Sequence, residues 1–185
     1  KGLFGINIGP NKDTNNKEED YLIGLRKFYN LADYLTINIS SPNTENLRSF
    51  HNEDELNKLL DLVEKEKKIL KTKIPIVVKI SPDIKDENIN IIAKLLLKHN
   101  VEAVIISNST DRNRENLSNI NKLEKGGLSG KPLEKKSNEL INKFYKILKN
   151  KIKIIGVGGV DSGQSVYQKI INGASLVQLY TGMIY

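Results

Sequence analysis

The chain has 185 residues, 38% of them hydrophobic, with no cysteine, two histidines and a formal net charge of +7. Without cysteine it has no disulfide, thiolate metal ligand or thiol nucleophile, and two histidines argue against a multi-histidine metal site or a serine-protease triad. We therefore expect no metal site. No apolar run reaches the ~20 residues of a membrane-spanning helix, and no segment resembles a secretion signal.

The positive charge does not indicate a nucleic-acid partner. Lysines are spread over the polar faces of several predicted helices, and only 6% of the residues are aromatic. A surface that binds single-stranded nucleic acid combines clustered positive charge with aromatic platforms for the bases. We therefore interpret the lysines as solvated helix faces and expect no nucleic-acid partner.

Strands and helices alternate regularly along the chain. Helices are predicted to start at Asp13 or Thr14, at Asp54, and at Asp83 or Asp86, because short acidic and hydroxyl residues cap helix N-termini. The apolar strands are predicted at 2–9, 34–39, 75–83, 103–110, 152–157 and 174–182. The apolar helix positions include Leu56, Leu59, Leu60 and Val63; Ile89, Ile92, Ala93 and Leu96; Leu140, Ile141, Phe144, Ile147 and Leu148; and Val166, Tyr167, Ile170 and Ile171. Such alternation without hairpin signals predicts right-handed βαβ units and a parallel sheet.

Six parallel strands fit either an open doubly wound sheet or part of an eight-stranded barrel. Polar residues follow all six strands, whereas an open sheet concentrates its site at one switch point. The last two strands end in Gly158-Gly159 and Thr181-Gly182, like the phosphate site after strands seven and eight of a barrel. No G-x-G-x-x-G motif follows the first strand. We predict a single domain over 1–185, a partial (β/α)8 TIM barrel containing about its last six strands, although simple turn glycines would give the same Gly pairs.

The strand ends carry a repeated polar pattern. Asn7, Asn38 and Asn108 each stand near the end of a strand, and Lys79 interrupts an otherwise apolar strand. Amides that donate and accept suit a planar heterocycle with imide-like edges, and a buried lysine suits an electron-rich ring such as a reduced flavin. The alternative for each asparagine is an ordinary strand-end amide. We expect these residues to converge with Gly159 and Thr181 at one edge of the sheet.

Five segments together resemble one enzyme family. They are 38–44 (NISSPNT), 78–83 (VKISPD), 126–133 (GGLSGKPL), 155–160 (IGVGGV) and 176–181 (LVQLYT). In this order, over nearly the whole chain, they resemble class 2 dihydroorotate dehydrogenases. The resemblance implies oxidation of dihydroorotate to orotate with FMN, transfer of the electrons to a membrane quinone, and the fourth step of de novo pyrimidine (UMP) biosynthesis.

The resemblance also implies roles for individual residues. Ser41 matches the base that removes a proton from C5 of dihydroorotate; class 1 enzymes place cysteine there, so Ser41 favours class 2. Residues matching contacts to the orotate ring and carboxylate are Asn38, Asn43, Asn108 and Ser109. Residues matching contacts to the flavin or its ribityl phosphate are Asn7, Asn38, Lys79, Ser107, Gly130, Gly159, Tyr180 and Thr181.

The resemblance extends beyond the printed chain. It implies two barrel strands and a helical quinone-binding extension before Lys1, and a closing helix after Tyr185. The full-length enzyme would then be a peripheral protein of the bacterial inner membrane, or of the mitochondrial inner membrane in a eukaryote. The chain departs from the family at Ser109, where many relatives have threonine, and at Pro10, where lysine is common.

Two alternatives stay open from the sequence. Another FMN-dependent pyrimidine oxidoreductase of the same barrel fold, acting on a dihydropyrimidine or dihydrouridine, would share the phosphate loops, although such enzymes typically use cysteine as the acid or base. An inactive fragment or basic binding module would need none of the strand-end amides. Segment 38–44 could also be an ordinary Ser-Pro-Asn turn.

Overall fold

The fold is a curled, partial (β/α)8 barrel, as the sequence predicts. The computed structural model describes residues 2–43, 47–112, 114–115 and 117–185. Thr44 of the 38–44 segment, and two positions of the polar stretch between the predicted fourth strand and Gly126, lie outside them. The strands are β1 (Gly5–Ile8), β2 (Tyr34–Asn38), β3 (Ile76–Ile80), β4 (Ala103–Ile106), β5 (Lys153–Val157) and β6 (Leu176–Gln178). The helices are α1 (Lys17–Phe28), α2 (Glu53–Ile69), α3 (Asp86–Lys98), α4 (Glu134–Leu148) and α5 (Gly163–Ile171). All six strands pair in parallel and in chain order.

The two faces of the sheet differ because successive strand side chains point to opposite sides. Residues of the outer face, including Ile37, Val78 and Val104, pack with the helices into the main hydrophobic core. On the inner face a small cluster contains Val77, Ala103, Ile105 and Ile155. The inner face therefore carries an apolar floor, above which the polar strand ends stand.

The apolar positions that the helices bury agree with the prediction better than the residues at which the helices begin. We call the apolar positions of each helix its stripe. The stripes of α2 and α3 are buried as predicted. The side chain of Asn16 caps α1 by accepting the Glu19 backbone N–H, so the helix starts after the predicted Asp13 and Thr14. Helix α2 begins directly after Asn52, before the predicted Asp54. Several short polar residues precede each helix, and local sequence alone does not select among them.

Helix α5 differs from the prediction in which side it buries. Ser165 and Lys169 are its buried residues, whereas Tyr167, Ile170 and Ile171 are exposed. The apolar pattern correctly predicted a helix. However, the apolar side of α5 is not the side that packs against α4 and β6. As a result, a lysine side chain lies inside the fold.

Candidate active site

The carboxyl ends of the strands surround one open cavity. Parallel strands in chain order bring all of their carboxyl ends to the same edge of the sheet. The cavity has a volume of about 270 Å³. The predicted site residues that line it are Asn43, Lys79, Ser107, Asn108, Ser109, Gly130, Gly159, Tyr180 and Thr181. The structure therefore brings most of the predicted residues together, from strand β3 and from the loops after β2, β4, β5 and β6.

An amide network joins the ends of β2 and β4. The Asn38 Oδ1 atom accepts hydrogen bonds from the Ser40 hydroxyl at 2.8 Å and from Asn108 Nδ2 at 3.4 Å. Asn108 Nδ2 also donates to Ser40 Oγ at 3.0 Å, and the Ser109 backbone N–H donates to Asn108 Oδ1 at 2.8 Å. Ser40 is fully buried. Because the Ser40 hydroxyl and the two amides are hydrogen-bonded to one another, the side chains of Asn38 and Asn108 have fixed orientations before a ligand binds.

Ser40 is a site residue that the sequence analysis did not single out. It stands in the 38–44 segment, yet its hydroxyl supports Asn38 and Asn108 rather than facing the cavity. Two adjacent serines after a strand point to opposite sides, so one supports the site and the other is available to it. This alternation could have identified Ser40 from the sequence, because a residue two positions after Asn38 lies on the same side of an extended chain.

Ser41 and Asn43 lie on the turn that follows β2. Ser41 is half-buried and its Oγ atom accepts the Asn43 backbone N–H at 3.3 Å. Asn43 is exposed and lines the cavity, whereas Ser41 and Asn38 are not among the lining residues. The Ser41 hydroxyl proton is not used in that bond, so the hydroxyl can donate elsewhere.

Lys79 stands on β3, between the two strands that lead to Asn38 and Asn108. In the strand register it is level with Asn38 on β2 and with Ile105 on β4, so its side chain shares the inner face with both. Burial lowers the pKa of the Lys79 ammonium group below its ordinary value. A desolvated cation that lines a cavity attracts a negative or electron-rich partner there.

Small residues form the far wall of the cavity. Gly159 has a positive φ of 74°, and a side-chain carbon placed on it would lie 2.8 Å from the backbone nitrogen of Glu134 at the start of α4. Gly130 lies against Thr181, whose hydroxyl is 3.0 Å from Ser129 Oγ. Backbone and small hydroxyls exposed in this way suit an anion such as phosphate. Tyr180 is largely exposed beside them.

Asn7 is the predicted site residue on β1, the edge strand next to β2. It is exposed on the edge strand β1 and pairs with Thr36, two residues before Asn38, so it shares the inner face. It does not line the 270 Å³ cavity. Asn7 thus extends the polar strand ends beyond β2, and within the part of the chain that the structure describes it forms no hydrogen bond with Asn38, Ser40 or Asn108.

A buried carboxylate that the sequence analysis treated only as a possible helix start connects three loops. Asp83, whose side chain is 1% exposed, accepts a bifurcated hydrogen bond from the Thr110 hydroxyl, whose Oγ1 lies 2.7 and 2.9 Å from its two oxygens. It also forms ion pairs with Lys136 and Arg48. Thr110 pairs with Leu128 as a single antiparallel bridge. Asp83 therefore anchors the loop that follows Asn108 and Ser109. Its place three residues after the end of β3 was the available signal.

The chain matches the family model described as dihydroorotate dehydrogenase over residues 2–185. A curated relative from Idiomarina loihiensis, named dihydroorotate dehydrogenase (quinone), is 46% identical over 191 residues, covering 100% of this chain and 57% of the relative. One of the same name from Acinetobacter baylyi is 44% identical over 192 residues, with the same coverage. The chain thus spans just over half the length of these relatives.

Solved structures agree with the fold. The crystal structure of ligand-free DHODH from Eimeria tenella superposes with a TM-score of 0.93 at 36% identity, covering 99% of this chain and 55% of that one. Among the residues that the structure describes, no helix is both long and apolar enough to span a bilayer. On the strength of the family match, the identity to relatives and the shared fold, the chain belongs to the dihydroorotate dehydrogenase family.

Proposed function

We propose that this chain provides most of the active site of a quinone-dependent dihydroorotate dehydrogenase that uses FMN. The observation that carries the proposal is one cavity lined by a half-buried lysine, by strand-end amides and hydroxyls and by a glycine turn, in a chain of this family. Curated relatives are named for the quinone-dependent enzyme. The reaction would serve pyrimidine (UMP) biosynthesis.

The residues of the cavity fit FMN. The flavin ring would lie beside Lys79 and Ser107, which line the cavity, with Asn38 and Asn7 of the inner sheet face at its polar edge. A half-buried cation and amides match the ring's carbonyl and nitrogen groups. Its phosphate would bind at Gly130, Gly159, Tyr180 and Thr181, where backbone is accessible. Bound FMN supplies the chemistry of hydride acceptance at its N5 atom.

The residues of the β2 and β4 ends would hold the substrate. Asn38 and Asn108 have donors and acceptors that match an imide-like pyrimidine ring, and Asn43 and Ser109 would complete the contacts to ring and carboxylate. Their mutual hydrogen bonds restrict their rotation, which lowers the entropy lost when the ring binds.

Ser41 would act as the base. Oxidation of dihydroorotate removes a proton from C5 and a hydride from C6, and a double bond forms between these carbons. Ser41 would take the C5 proton while its own hydroxyl proton passes to a water relay, since a serine hydroxyl is otherwise too weak a base. The two electrons would finally reduce a quinone, with uptake of two protons. We place the quinone site in a helical N-terminal extension and the enzyme peripherally on the membrane that holds the quinone.

The test uses the purified full-length protein. We expect flavin absorbance that denaturation releases as FMN, anaerobic bleaching by dihydroorotate with formation of orotate, and reoxidation by a soluble quinone. A flavoprotein that dihydroorotate does not bleach would favour another FMN-dependent pyrimidine oxidoreductase. A protein without flavin would contradict the proposal and favour a binding module or an inactive fragment.

Lys79 offers a more specific prediction. Replacing Lys79 with methionine keeps the apolar stem but removes the charge, so we expect FMN to bind roughly 10- to 100-fold more weakly, the range for a lost charged hydrogen bond. The reduced flavin would also lose its counter-charge, so its reduction potential should fall by roughly 30 mV or more, where 30 mV corresponds to tenfold.

Lys153 provides the control for this measurement. It is an exposed lysine at the amino end of β5, far along the strand direction from the cavity. Lys153→Met should leave both FMN affinity and potential unchanged. Flavin content and potential that stay at parental values in Lys79→Met would show that Lys79 extends to solvent without acting on the flavin.

A further inference from the structure

Lys169 is a fully buried lysine behind the glycine turn of the cavity. It lies on α5 with 0% exposure, and its Nζ atom donates to Ser137 Oγ at 3.1 Å and to Asn138 Oδ1 at 3.0 Å, both on α4. Among the residues that the structure describes, no carboxylate forms an ion pair with it; Glu134 and Asp161 pair with Lys131 instead. Lys169 is therefore a buried cation held only by neutral groups.

A chain of hydrogen bonds connects Lys169 to the wall of the cavity. The Ser137 hydroxyl, which accepts from Lys169, lies 2.8 Å from the Val157 carbonyl oxygen and can donate to it. The Ser107 backbone N–H donates to the same carbonyl at 3.1 Å. Val157 immediately precedes the Gly158-Gly159 turn, and Val157, Ser107 and Gly159 all line the cavity. The ammonium group is thus two hydrogen bonds from the lining backbone.

The absence of a side chain at Gly156, near the end of β5, leaves space for the Lys169 side chain. A side-chain carbon on Gly156 would lie 2.9 Å from Lys169 Cδ, so the lysine stem passes directly under the strand that leads into the turn. Two of the next three residues, Gly158 and Gly159, have positive φ angles of 112° and 74°. The lysine stem therefore packs against the residue that lies two positions before the glycine turn.

Burying an unpaired ammonium group is costly, and a nearby anion would offset that cost. Burial lowers the pKa of Lys169 to about 8, although the negative charge of Glu134 acts in the opposite direction. The groups that its Nζ atom contacts, Ser137 and Asn138 on α4, are neutral. The apolar side chains of Ile141 and Ala174 lie with the lysine stem beside Gly156. A phosphate at the glycine turn would supply the missing negative charge.

We propose that Lys169 is a positioning residue for the cofactor phosphate: it supplies buried positive charge behind the Gly158-Gly159 turn and holds that turn through Ser137 and the Val157 carbonyl. This inference rests on the proposed use of FMN. It assigns to Lys169 a role in binding the phosphate monoester, separate from the contacts of Lys79 with the ring. The competing explanation is that Lys169 only joins α5 to α4.

Comparison of two ligands separates these explanations. Riboflavin shares the ring and ribityl chain of FMN but lacks the phosphate, so the ratio of their dissociation constants isolates the phosphate contribution. With the flavin-free full-length protein, we expect Lys169→Met to reduce the preference for FMN over riboflavin roughly tenfold, with riboflavin affinity within about twofold of the parent. Lys146→Met, an exposed lysine on α4, makes the same change in net charge and should keep the parental ratio.

A pH series on the unmodified protein tests the same idea without a variant. A phosphate monoester is already a dianion above its second pKa of about 6, so its charge is constant at higher pH. Lys169 is protonated below its pKa of about 8 and becomes neutral above it, although a bound phosphate shifts that transition upward. The preference for FMN over riboflavin should therefore decrease as pH rises above about 8, and Lys169→Met should remove this decrease.

The outcomes distinguish this proposal from the proposed function. Tight FMN binding with a ratio that neither Lys169→Met nor pH changes would make Lys169 a purely structural residue and leave the proposed function intact. If Lys169→Met does not fold, the pH series of the parent decides alone. A parent protein that binds neither flavin would contradict both.

Discussion

Replacing Ser41 with alanine should slow anaerobic reduction of the bound flavin by dihydroorotate about 10²- to 10⁴-fold, the range for loss of a positioned acid-base group. Binding should change little. The Asn38–Ser40–Asn108 network does not include Ser41, whose Oγ accepts only the Asn43 backbone N–H among the hydrogen bonds described. FMN content and orotate affinity should therefore stay near parental values while the chemical step slows. Stopped-flow absorbance of the flavin, with orotate titration, measures both.

Replacing Ser41 with cysteine provides a second test of its role as the base. Ser41→Cys should recover part of the rate at raised pH, because a thiolate, with a pKa near 8.5, can accept the proton directly. The control is Ser175→Ala, since Ser175 is exposed before β6 at the opposite edge of the sheet. If Ser41→Ala is reduced as fast as the parent, Ser41 is a turn residue and the base lies elsewhere.

The strands and their polar ends could be predicted from the sequence because buried parallel strands give continuous apolar runs. Within such runs Asn38 and Lys79 stand out as polar exceptions, and the register places them side by side. The alternation of strands and helices predicted the fold class, and polar residues after every strand, with the family resemblance, predicted the grouping of most site residues in one cavity. The individual roles of these residues remain predictions, which the Ser41 and Lys79 variants test.

Features that depend on contacts between distant segments were not predictable in the same way. Lys169 looks like any lysine of an amphipathic helix, and only the packing of α5 on α4 shows that it is buried. Asp83 looks like a helix start, yet its partners come from residues up to 53 positions away. A local pattern identifies residues that favour an element, but it does not show which side of that element will be covered or which charges will meet.

The Asp83 cluster should account for a large share of the stability around the site. Replacing Asp83 with alanine leaves Lys136 and Arg48 without their shared anion and removes the acceptor of the Thr110 hydroxyl. Breaking a buried ion pair costs about 3–5 kcal/mol, and we expect the lower end, about 3 kcal/mol, because both cations keep some contact with solvent. Denaturant unfolding of the full-length protein measures this free energy.

The neighbouring pair of Asp86 and Lys143 is the matched control. It also joins an aspartate to a lysine of α4, at 2.6 Å, but both side chains are largely exposed. Asp86→Ala should therefore reduce the free energy of unfolding by less than about 1 kcal/mol. Equal losses in the two variants would show that burial of Asp83 adds nothing to the strength of its contacts.

The pH dependence of the free energy of unfolding tests whether the charge of Asp83 causes its stabilising effect. Burial raises the pKa of the Asp83 carboxyl, but hydrogen bonds from Lys136 and Thr110 and the charge of Arg48 together lower it below its ordinary value. A carboxyl with a lowered folded-state pKa contributes stability above its unfolded pKa of about 3.9, and that contribution is lost as pH falls through the folded value. The stability difference between the parent and Asp83→Asn should therefore be constant near neutral pH and shrink in acid below about pH 4. A difference that persists unchanged in acid would assign the effect to the shape of the side chain and its hydrogen bonds rather than to its charge.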